Sequence, residues 1–170
     1  IERLAETKSD YLNGTMVAMA GARHAHNVIV ANVLRSLGNA LADRPCISYP
    51  SDMKVRIERA NVFRYPDASV VCGPIDFYDE VEDAYHNPDL IVEVLSPSTE
   101  VIDRTEKFAL YKLLPSLREY LLVSQDSPTM ELHRRDGETW TSEVYEGMGA
   151  GVELESIDVR LAASEVFAKL

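Results

Sequence analysis

Apolar and polar residues alternate along the chain in blocks that predict many short strands and two longer helices. Two short strands are expected within residues 10–21 around Asn13 and Gly14, because the Asn-Gly dipeptide favours a tight hairpin. Over residues 24–42 apolar residues recur every three or four positions, which predicts the first helix, and Pro45 prevents its continuation. The other predicted elements are strands near 46–49, 53–57, 68–72, 90–95, 118–124, 130–135 and 140–145, a shorter strand near 152–156, a helix over 99–114 and a terminal helical turn over 164–170.

This order of elements indicates an α/β or α+β domain with a mixed sheet. A chain of 170 residues fits one domain, here 1–170, and is long enough to bury one continuous core. Because it begins with Ile1 rather than Met, a few native residues are expected to precede it. No apolar stretch approaches the roughly 18 residues of a membrane span, and the first ten residues lack a signal-peptide core. We therefore expect a cytoplasmic protein with no membrane partner.

The two cysteines, Cys46 and Cys72, lie far apart in sequence and carry no CxxC or His/Cys pattern. A zinc site or a disulfide framework is therefore not expected. Two ordinary buried thiols are the prediction.

The net charge of −11 argues against a general affinity for polyanions, because phosphate binding depends mostly on Lys and Arg. The charge is unevenly distributed, however. Residues 1–64 hold 9 Lys and Arg against 6 Asp and Glu, whereas residues 65–170 hold 8 against 22. A nucleic acid would have to approach the first third of the chain or be bridged by metal ions.

A single Glu interrupts the apolar run LIVEVL at residues 90–95. Burying an ionised carboxylate there costs several kcal/mol unless Glu93 has a partner. Asp67 stands directly after Pro66, at the start of another predicted strand. If the two strands are neighbours, both carboxylates converge on one point, and oxygen ligands of this kind suit Mg²⁺ or Mn²⁺.

The following predicted helix adds a cation to this pair of carboxylates. Asp103, Lys107 and Tyr111 are spaced i, i+4, i+8 and share one helix face, from which Lys107 could reach the metal site. Two carboxylates, a metal and an ammonium group are what phosphodiester hydrolysis requires. No Ser/His/Asp order, phosphate-binding loop or dinucleotide fingerprint competes with this interpretation.

The segments that carry this chemistry also resemble a known family. They are PD at 66–67, EVLSPST at 93–99, DRTEKFALYK at 103–112 and SLREYLLVS at 116–124. They resemble the Uma-two type of restriction endonuclease, a bacterial branch of the PD-(D/E)xK nuclease superfamily. The resemblance implies a restriction-endonuclease-like mixed sheet flanked by helices, with Asp67 and Glu93 as metal ligands and Lys107 as the catalytic lysine. The superfamily more often carries this lysine two residues after the acidic strand residue, where this chain has Leu95.

Several other polar residues are candidates for the outer shell of the site or for substrate contact. His26 resembles a histidine that the family often carries at this point, whereas the rings of His24 and His26 diverge on a helix too far to chelate one ion. Asp52 either belongs to the outer shell or closes a turn. The remaining candidates are Ser96 and Ser98, expected with Thr99 to cap the second helix, and Asp103 and Tyr111, which share a face with Lys107.

Structural alternatives remain open for the three central residues. Asp67 could cap a turn, and Glu93 could form a buried salt bridge with Lys107, which would be weak evidence of stabilisation. Lys107 could also be a solvated helix residue that pairs with Asp103.

The sequence therefore predicts a homodimeric, Mg²⁺- or Mn²⁺-dependent endonuclease acting on DNA. Two strands, 130–135 and 140–145, would suit edge pairing in the dimer, and cutting both DNA strands would need two sites related by a two-fold axis. The alternatives are a non-catalytic module that binds nucleic acid or protein, and a metal-dependent phosphoesterase acting on small nucleotides.

Overall fold

Three β-sheets of six, five and two strands, one long helix and a short helical segment enclose the apolar core in the computed structural model, which describes residues 8–18 and 21–170. The strands are β1 Ser9–Leu12, β2 Thr15–Ala18, β3 Cys46–Pro50, β4 Lys54–Ile57, β5 Val62–Arg64, β6 Ala68–Cys72, β7 Ala84–Tyr85, β8 Leu90–Leu95, β9 Glu119–Ser124, β10 Thr129–Asp136, β11 Thr139–Glu146, β12 Gly151–Leu154 and β13 Val159–Ala162. The α-helices are α1 His24–Ala40, α2 Glu100–Ile102, α3 Phe108–Tyr111 and α4 Ala163–Val166, and Glu58–Ala60 forms a 3₁₀ turn.

The larger sheet has six strands in the order β11-β10-β9-β8-β6-β3. The β8–β9 pair is parallel and the other pairs are antiparallel, so the sheet is mixed. All six residues of β8 are buried, as expected of a central strand covered on both faces. The predicted α+β class with a mixed sheet is confirmed.

The two faces of β8 belong to two different apolar clusters. Val92 and Val94 pack with α1 through Ile29, Val33 and Leu37, which are spaced by four residues and fully buried. The opposite face faces the smaller sheet, whose strand order is β2-β1-β5-β4-β7, and the helical segment that starts with α2. Glu93 points to this second face, since side chains on a strand alternate.

The hairpin at the start of the described chain follows the predicted turn chemistry. Asn13 and Gly14 have φ of 42° and 98°, the left-handed conformations that a two-residue turn between antiparallel strands requires. Strand β2 ends at Ala18, and Met19 and Ala20, which the sequence also assigned to this hairpin, lie outside the described residues.

The predicted helix over 99–114 is shorter and less regular than its sequence pattern indicates. Helix α2 is followed by a π-helical turn, Asp103–Lys107, and then by α3, which ends at Tyr111. Single π-helical turns of this kind are frequent at functional sites. Three strands, β5, β7 and β13, were not predicted, because they have only two to four residues and are held by their neighbours in the sheets.

The prediction of two ordinary buried thiols is wrong. Cys46 and Cys72 form a disulfide and are only partly buried. They are directly opposite each other in the antiparallel pair β3–β6, so both side chains leave the sheet on the same face at close range. Their separation along the chain does not reveal this pairing.

One of the two strands proposed for dimer pairing is not at an edge. β10 lies between β9 and β11 and is paired on both sides, so it cannot accept another strand. β11 is at the edge of the sheet, and a dimer built on it stays a prediction. Among the described helices, none has the length and apolar character needed to cross a membrane.

Candidate active site

Asp67 and Glu93 lie side by side on neighbouring strands. β6 and β8 are antiparallel with Ala68 opposite Val92, so the next position along each strand places Asp67 beside Glu93. The contact is fixed by the backbone, since Val94 N–H donates to Asp67 Oδ2 at 2.7 Å. The strand pairing on which the two-carboxylate prediction depends is thus present.

Glu93 is buried and has two side-chain partners. Its side chain is 3% exposed; Lys107 Nζ lies 3.1 Å from Oε2, and the Tyr111 hydroxyl donates to Oε1 at 2.9 Å. Burial raises the pKa of Glu93 to about 8; Lys107 and Tyr111 oppose this rise, and the charges of Asp67 and Asp103 add to it. Glu93 therefore forms a buried salt bridge with Lys107, as the structural alternative held. The carboxyl groups of Asp67 and Asp103 lie close to this pair.

Lys107 joins the strand to the helical segment. Its ammonium also lies 2.7 Å from Asp103 Oδ1, and the side chains of Lys107 and Asp103 are 16% and 2% exposed. Burial alone would lower the pKa of Lys107, yet Glu93 and Asp103 together hold it above its ordinary value. Lys107 is therefore paired with Asp103, as the structural alternative held, but it is not solvated.

His26 approaches Asp67 from the first turn of α1. Its Nε2 lies 3.2 Å from Asp67 Oδ2, and its side chain is 14% exposed. This hydrogen bond raises the pKa of His26 above its ordinary value, against the opposing effect of burial. His24 is exposed two residues earlier in the same helix.

The remaining candidates are placed differently. Ser96 Oγ lies 3.0 Å from both Ser98 Oγ and Thr99 Oγ1, and Thr99 makes no side-chain hydrogen bond to the helix start, so the prediction that these hydroxyls cap α2 is wrong. They bond to one another at the end of β8. Asp52 is exposed and pairs with Lys8. Within the described residues it forms no ion pair with Lys107.

Two supports of the site were missed by the sequence interpretation. Asp10 on β1 accepts hydrogen bonds from Arg64 Nη1 at 2.6 Å and from Tyr65 N–H at 3.3 Å, which secures the chain just before Asp67. Arg64 is the buried last residue of β5, a strand that was not predicted, so no sequence signal indicated this pair. Tyr120 on β9 donates to the backbone carbonyl of Asp103 at 3.0 Å.

Comparison with known proteins identifies the family of this chain. Residues 1–164 match the sequence model of the Uma2 family, which is described as "Putative restriction endonuclease". The chain belongs to this family. The resemblance inferred from the segments between residues 66 and 124 is therefore confirmed.

Two relatives from Synechocystis sp. (strain ATCC 27184 / PCC 6803 / Kazusa) are similar to this Uma2 chain over most of its length. "Uncharacterized protein slr1290" is 36% identical over 167 residues, which cover 98% of this chain and 86% of the relative. "Uncharacterized protein sll1609" is 35% identical over 155 residues, which cover 91% and 86%.

A solved structure is similar in fold. The crystal structure of "a putative nuclease belonging to DUF820" from Anabaena variabilis ATCC 29413 superposes with a TM-score of 0.77 and covers 96% of this chain and 92% of its own. At 18% sequence identity the likeness concerns the fold. It confirms the predicted nuclease-like arrangement of a mixed sheet flanked by helices.

The donor set of this Uma2 site fits a hard divalent cation. Asp67 and Glu93 place their carboxyl oxygens side by side in a largely buried space, and the one ammonium group that contacts Glu93 is shared with Asp103. Within residues 8–18 and 21–170 there is no group of three or more His, Cys, Asp or Glu side chains arranged to hold a metal ion by themselves. Mg²⁺ does not need such a group, because it is commonly held by one or two carboxylates, with water and substrate phosphate completing the octahedron.

Proposed function

We propose that this protein is a Mg²⁺- or Mn²⁺-dependent endonuclease that hydrolyses phosphodiester bonds in DNA. The observation that carries the proposal is the convergence of Asp67 and Glu93 beside a buried lysine, with more carboxylates than cations in the cluster. Membership of the Uma2 family supports nuclease-like chemistry. Asp67 and Glu93 would hold the metal ion.

Each protein group has a distinct task in this proposal. A divalent cation supplies a Lewis acid for the phosphoryl group and lowers the pKa of water. Lys107 orients the attacking water or offsets the negative charge that develops on the phosphate. Tyr111 fixes one oxygen of Glu93, and His26 fixes one oxygen of Asp67. Both carboxylates are thereby held in position before any ligand arrives.

The charge distribution fits a polyanion that is bridged to the protein by metal ions. The net charge of −11 would repel DNA, and an acidic cluster without a cation could not accept a phosphate. A cation at Asp67 and Glu93 removes this obstacle at the one point where the phosphate must approach. We therefore expect DNA binding itself to depend on the divalent ion.

The decisive experiment is cleavage of supercoiled plasmid, linear duplex and single-stranded DNA in Mn²⁺, in Mg²⁺ and in EDTA. Glu93→Gln is compared with Glu106→Gln, which removes an exposed carboxylate from the helical turn that carries Lys107. We expect cleavage that requires the metal, falls by about 10²–10³-fold in Glu93→Gln, and is unchanged in Glu106→Gln. Full metal-dependent activity in folded Glu93→Gln would exclude this site.

A non-catalytic binding module is the second candidate, and one observation favours it. Glu93 already has partners in Lys107 and Tyr111, so the cluster is partly neutralised without a metal. Calorimetry separates the two functions, because a binding module has no need of micromolar to millimolar divalent affinity at Asp67 and Glu93. Turnover of a dinucleotide without plasmid cleavage would instead indicate a phosphoesterase of small nucleotides.

A further inference from the structure

Lys107 is held by two carboxylates at the same time. Its ammonium lies 3.1 Å from Glu93 Oε2 and 2.7 Å from Asp103 Oδ1. Only 16% of the lysine side chain is exposed, so water can replace neither partner fully. A buried ammonium group that loses its counter-charge is strongly destabilised.

The two partners of Lys107 belong to different parts of the fold. Glu93 lies on β8 beside Asp67, where the proposed cation would bind. Asp103 lies on the helical segment that also carries Lys107, one turn earlier, and its side chain is 2% exposed. Its position is fixed from both sides, because Asp103 N–H donates to Thr99 O at 2.8 Å and Tyr120 donates to the Asp103 carbonyl at 3.0 Å.

A divalent cation and the lysine compete for the same carboxylate. A cation on Glu93 would withdraw the electron pairs that Lys107 now uses and would repel the ammonium at short range. Lys107 then needs the other carboxylate in order to stay in the site. Asp103 is already in contact with it and, unlike Glu93, is not beside Asp67.

We propose that Asp103 is a positioning residue that retains Lys107 beside the metal site when a cation occupies Asp67 and Glu93. Asp103 touches neither metal nor substrate in this role and acts only through the lysine. The inference rests on the proposed metal site. It adds that Lys107 gives up Glu93 to the cation and keeps Asp103 as its partner.

The test measures the access of Lys107 to acetylation by a succinimidyl ester, followed by mass spectrometry, with and without saturating Mg²⁺. The exposed Lys169 serves as the internal reference. Asp103→Asn is the test variant, and Glu106→Gln, an exposed acid in the same π-helical turn, is the matched control.

We expect wild-type Lys107 to react at least about tenfold more slowly than Lys169 in both conditions. Only the neutral amine is acylated, and a pKa that is one unit higher lowers the neutral fraction about tenfold. In Asp103→Asn the lysine should stay protected without Mg²⁺, because Glu93 still holds it, and become at least about tenfold more reactive with Mg²⁺. Glu106→Gln should behave as wild type, and Asp103→Glu should restore protection in Mg²⁺.

Two results would overturn the role of Asp103, and the first requires no variant. They are loss of Lys107 protection in wild type on adding Mg²⁺, and equal protection in Asp103→Asn with and without the ion. Calorimetry on the same samples distinguishes a deeper failure. If wild type binds no Mg²⁺, the metal site and the role of Asp103 fall together, whereas Mg²⁺ binding with either result above removes only the role of Asp103.

Kinetics of DNA cleavage provide an independent measurement of the same role. Asp103→Asn should lower kcat by about tenfold or more while KM for DNA and Mg²⁺ affinity stay within about threefold, since it removes no binding group. In a Lys107→Met background the same substitution should have no further effect, because its only action is through the lysine. Multiplicative losses in the double variant would show that Asp103 acts directly and would contradict the proposal.

Discussion

Two buried glutamates on neighbouring strands of the large sheet have opposite surroundings. Glu93 lies on β8 and Glu119 begins β9, the strand paired to β8 in parallel. Their side chains are 3% and 1% exposed. Burial is therefore the same for both, and the difference between them is the supply of hydrogen-bond donors.

Glu119 receives more donors than a carboxylate usually finds in a protein interior. Oε1 accepts from Arg134 Nε at 3.0 Å and from Glu155 N–H at 3.1 Å, and Oε2 accepts from Ser156 N–H at 3.0 Å and from the Ser156 hydroxyl. Two of these donors are backbone amides that cannot move away. Such a carboxylate is fully paired and joins β9 to the turn after β12.

Glu93 has one hydrogen-bond donor, the Tyr111 hydroxyl, and one charged partner, Lys107, which it shares with a second acid. Lys107 is divided between Glu93 and Asp103, and Asp67 lies alongside. Burial raises the pKa of Glu93 to about 8, because Lys107 and Tyr111 offset only part of the cost of burying its charge. The comparison shows that two equally buried carboxylates differ in their supply of partners, and the proposed metal site uses the one whose supply is smaller.

The largest expected effect is on stability, at the fully paired carboxylate. Glu119→Ala leaves Arg134 and two part-buried amides without their acceptor and should lower the free energy of unfolding by about 3 kcal/mol. Urea unfolding at pH 7 measures it. Glu155→Ala, which removes the exposed carboxylate that also contacts Arg134, is the control and should change stability by less than about 1 kcal/mol. Similar losses in both variants would contradict the special status of Glu119.

The second effect is a pH dependence that belongs to Glu93. Its pKa is raised from 4.5 to about 8 on folding, so the stability it contributes is fully present below pH 4.5 and is lost as the pH rises towards 8. Wild type should lose about 1.4 kcal/mol per pH unit between pH 5 and 8 relative to Glu93→Gln. Unfolding titrations of both proteins at each pH check this, and parallel curves would show that Glu93 ionises normally.

The third effect is the loss of the single hydrogen-bond donor of Glu93. Tyr111→Phe removes the hydroxyl from Oε1 and should cost about 2 kcal/mol at pH 8.5, where Glu93 is ionised. Because this hydrogen bond lowers the pKa of Glu93, its loss should also shift the pH dependence of stability to higher pH. A Tyr111→Phe variant with the stability and pH profile of wild type would mean that the hydroxyl does not support the carboxylate.

The smallest effect is the loss of one donor at Glu119, where there are four. Ser156→Ala removes the hydroxyl but keeps the Ser156 amide, so the free energy of unfolding should fall by about 1 kcal/mol or less. If Ser156→Ala proved more destabilising than Tyr111→Phe, donor supply would not be what distinguishes the two carboxylates.

The sequence pattern predicted most of the large sheet and the residues of the candidate site. Strands β6, β8 and β9 could be predicted because they are buried runs in which most positions are apolar. Strands β5 and β7 were missed, because two or three residues carry no periodicity and their pairing comes from the rest of the small sheet. The Asp10–Arg64 pair was missed with β5.

The sequence by itself determined which chemistry is available: a carboxylate in a buried strand, a second at the start of another, and a lysine four residues after an aspartate. Local spacing is sufficient for such statements, since strands repeat every two residues and helices every three or four. Only the tertiary structure decided how many donors each carboxylate receives. Glu93 and Glu119 both lie in strands that the sequence predicts to be buried, and their different partners come from residues 14 to 37 positions away. Hydrogen-bond supply in a core depends on which distant segments the fold brings together, and in this supply Glu93 and Glu119 differ.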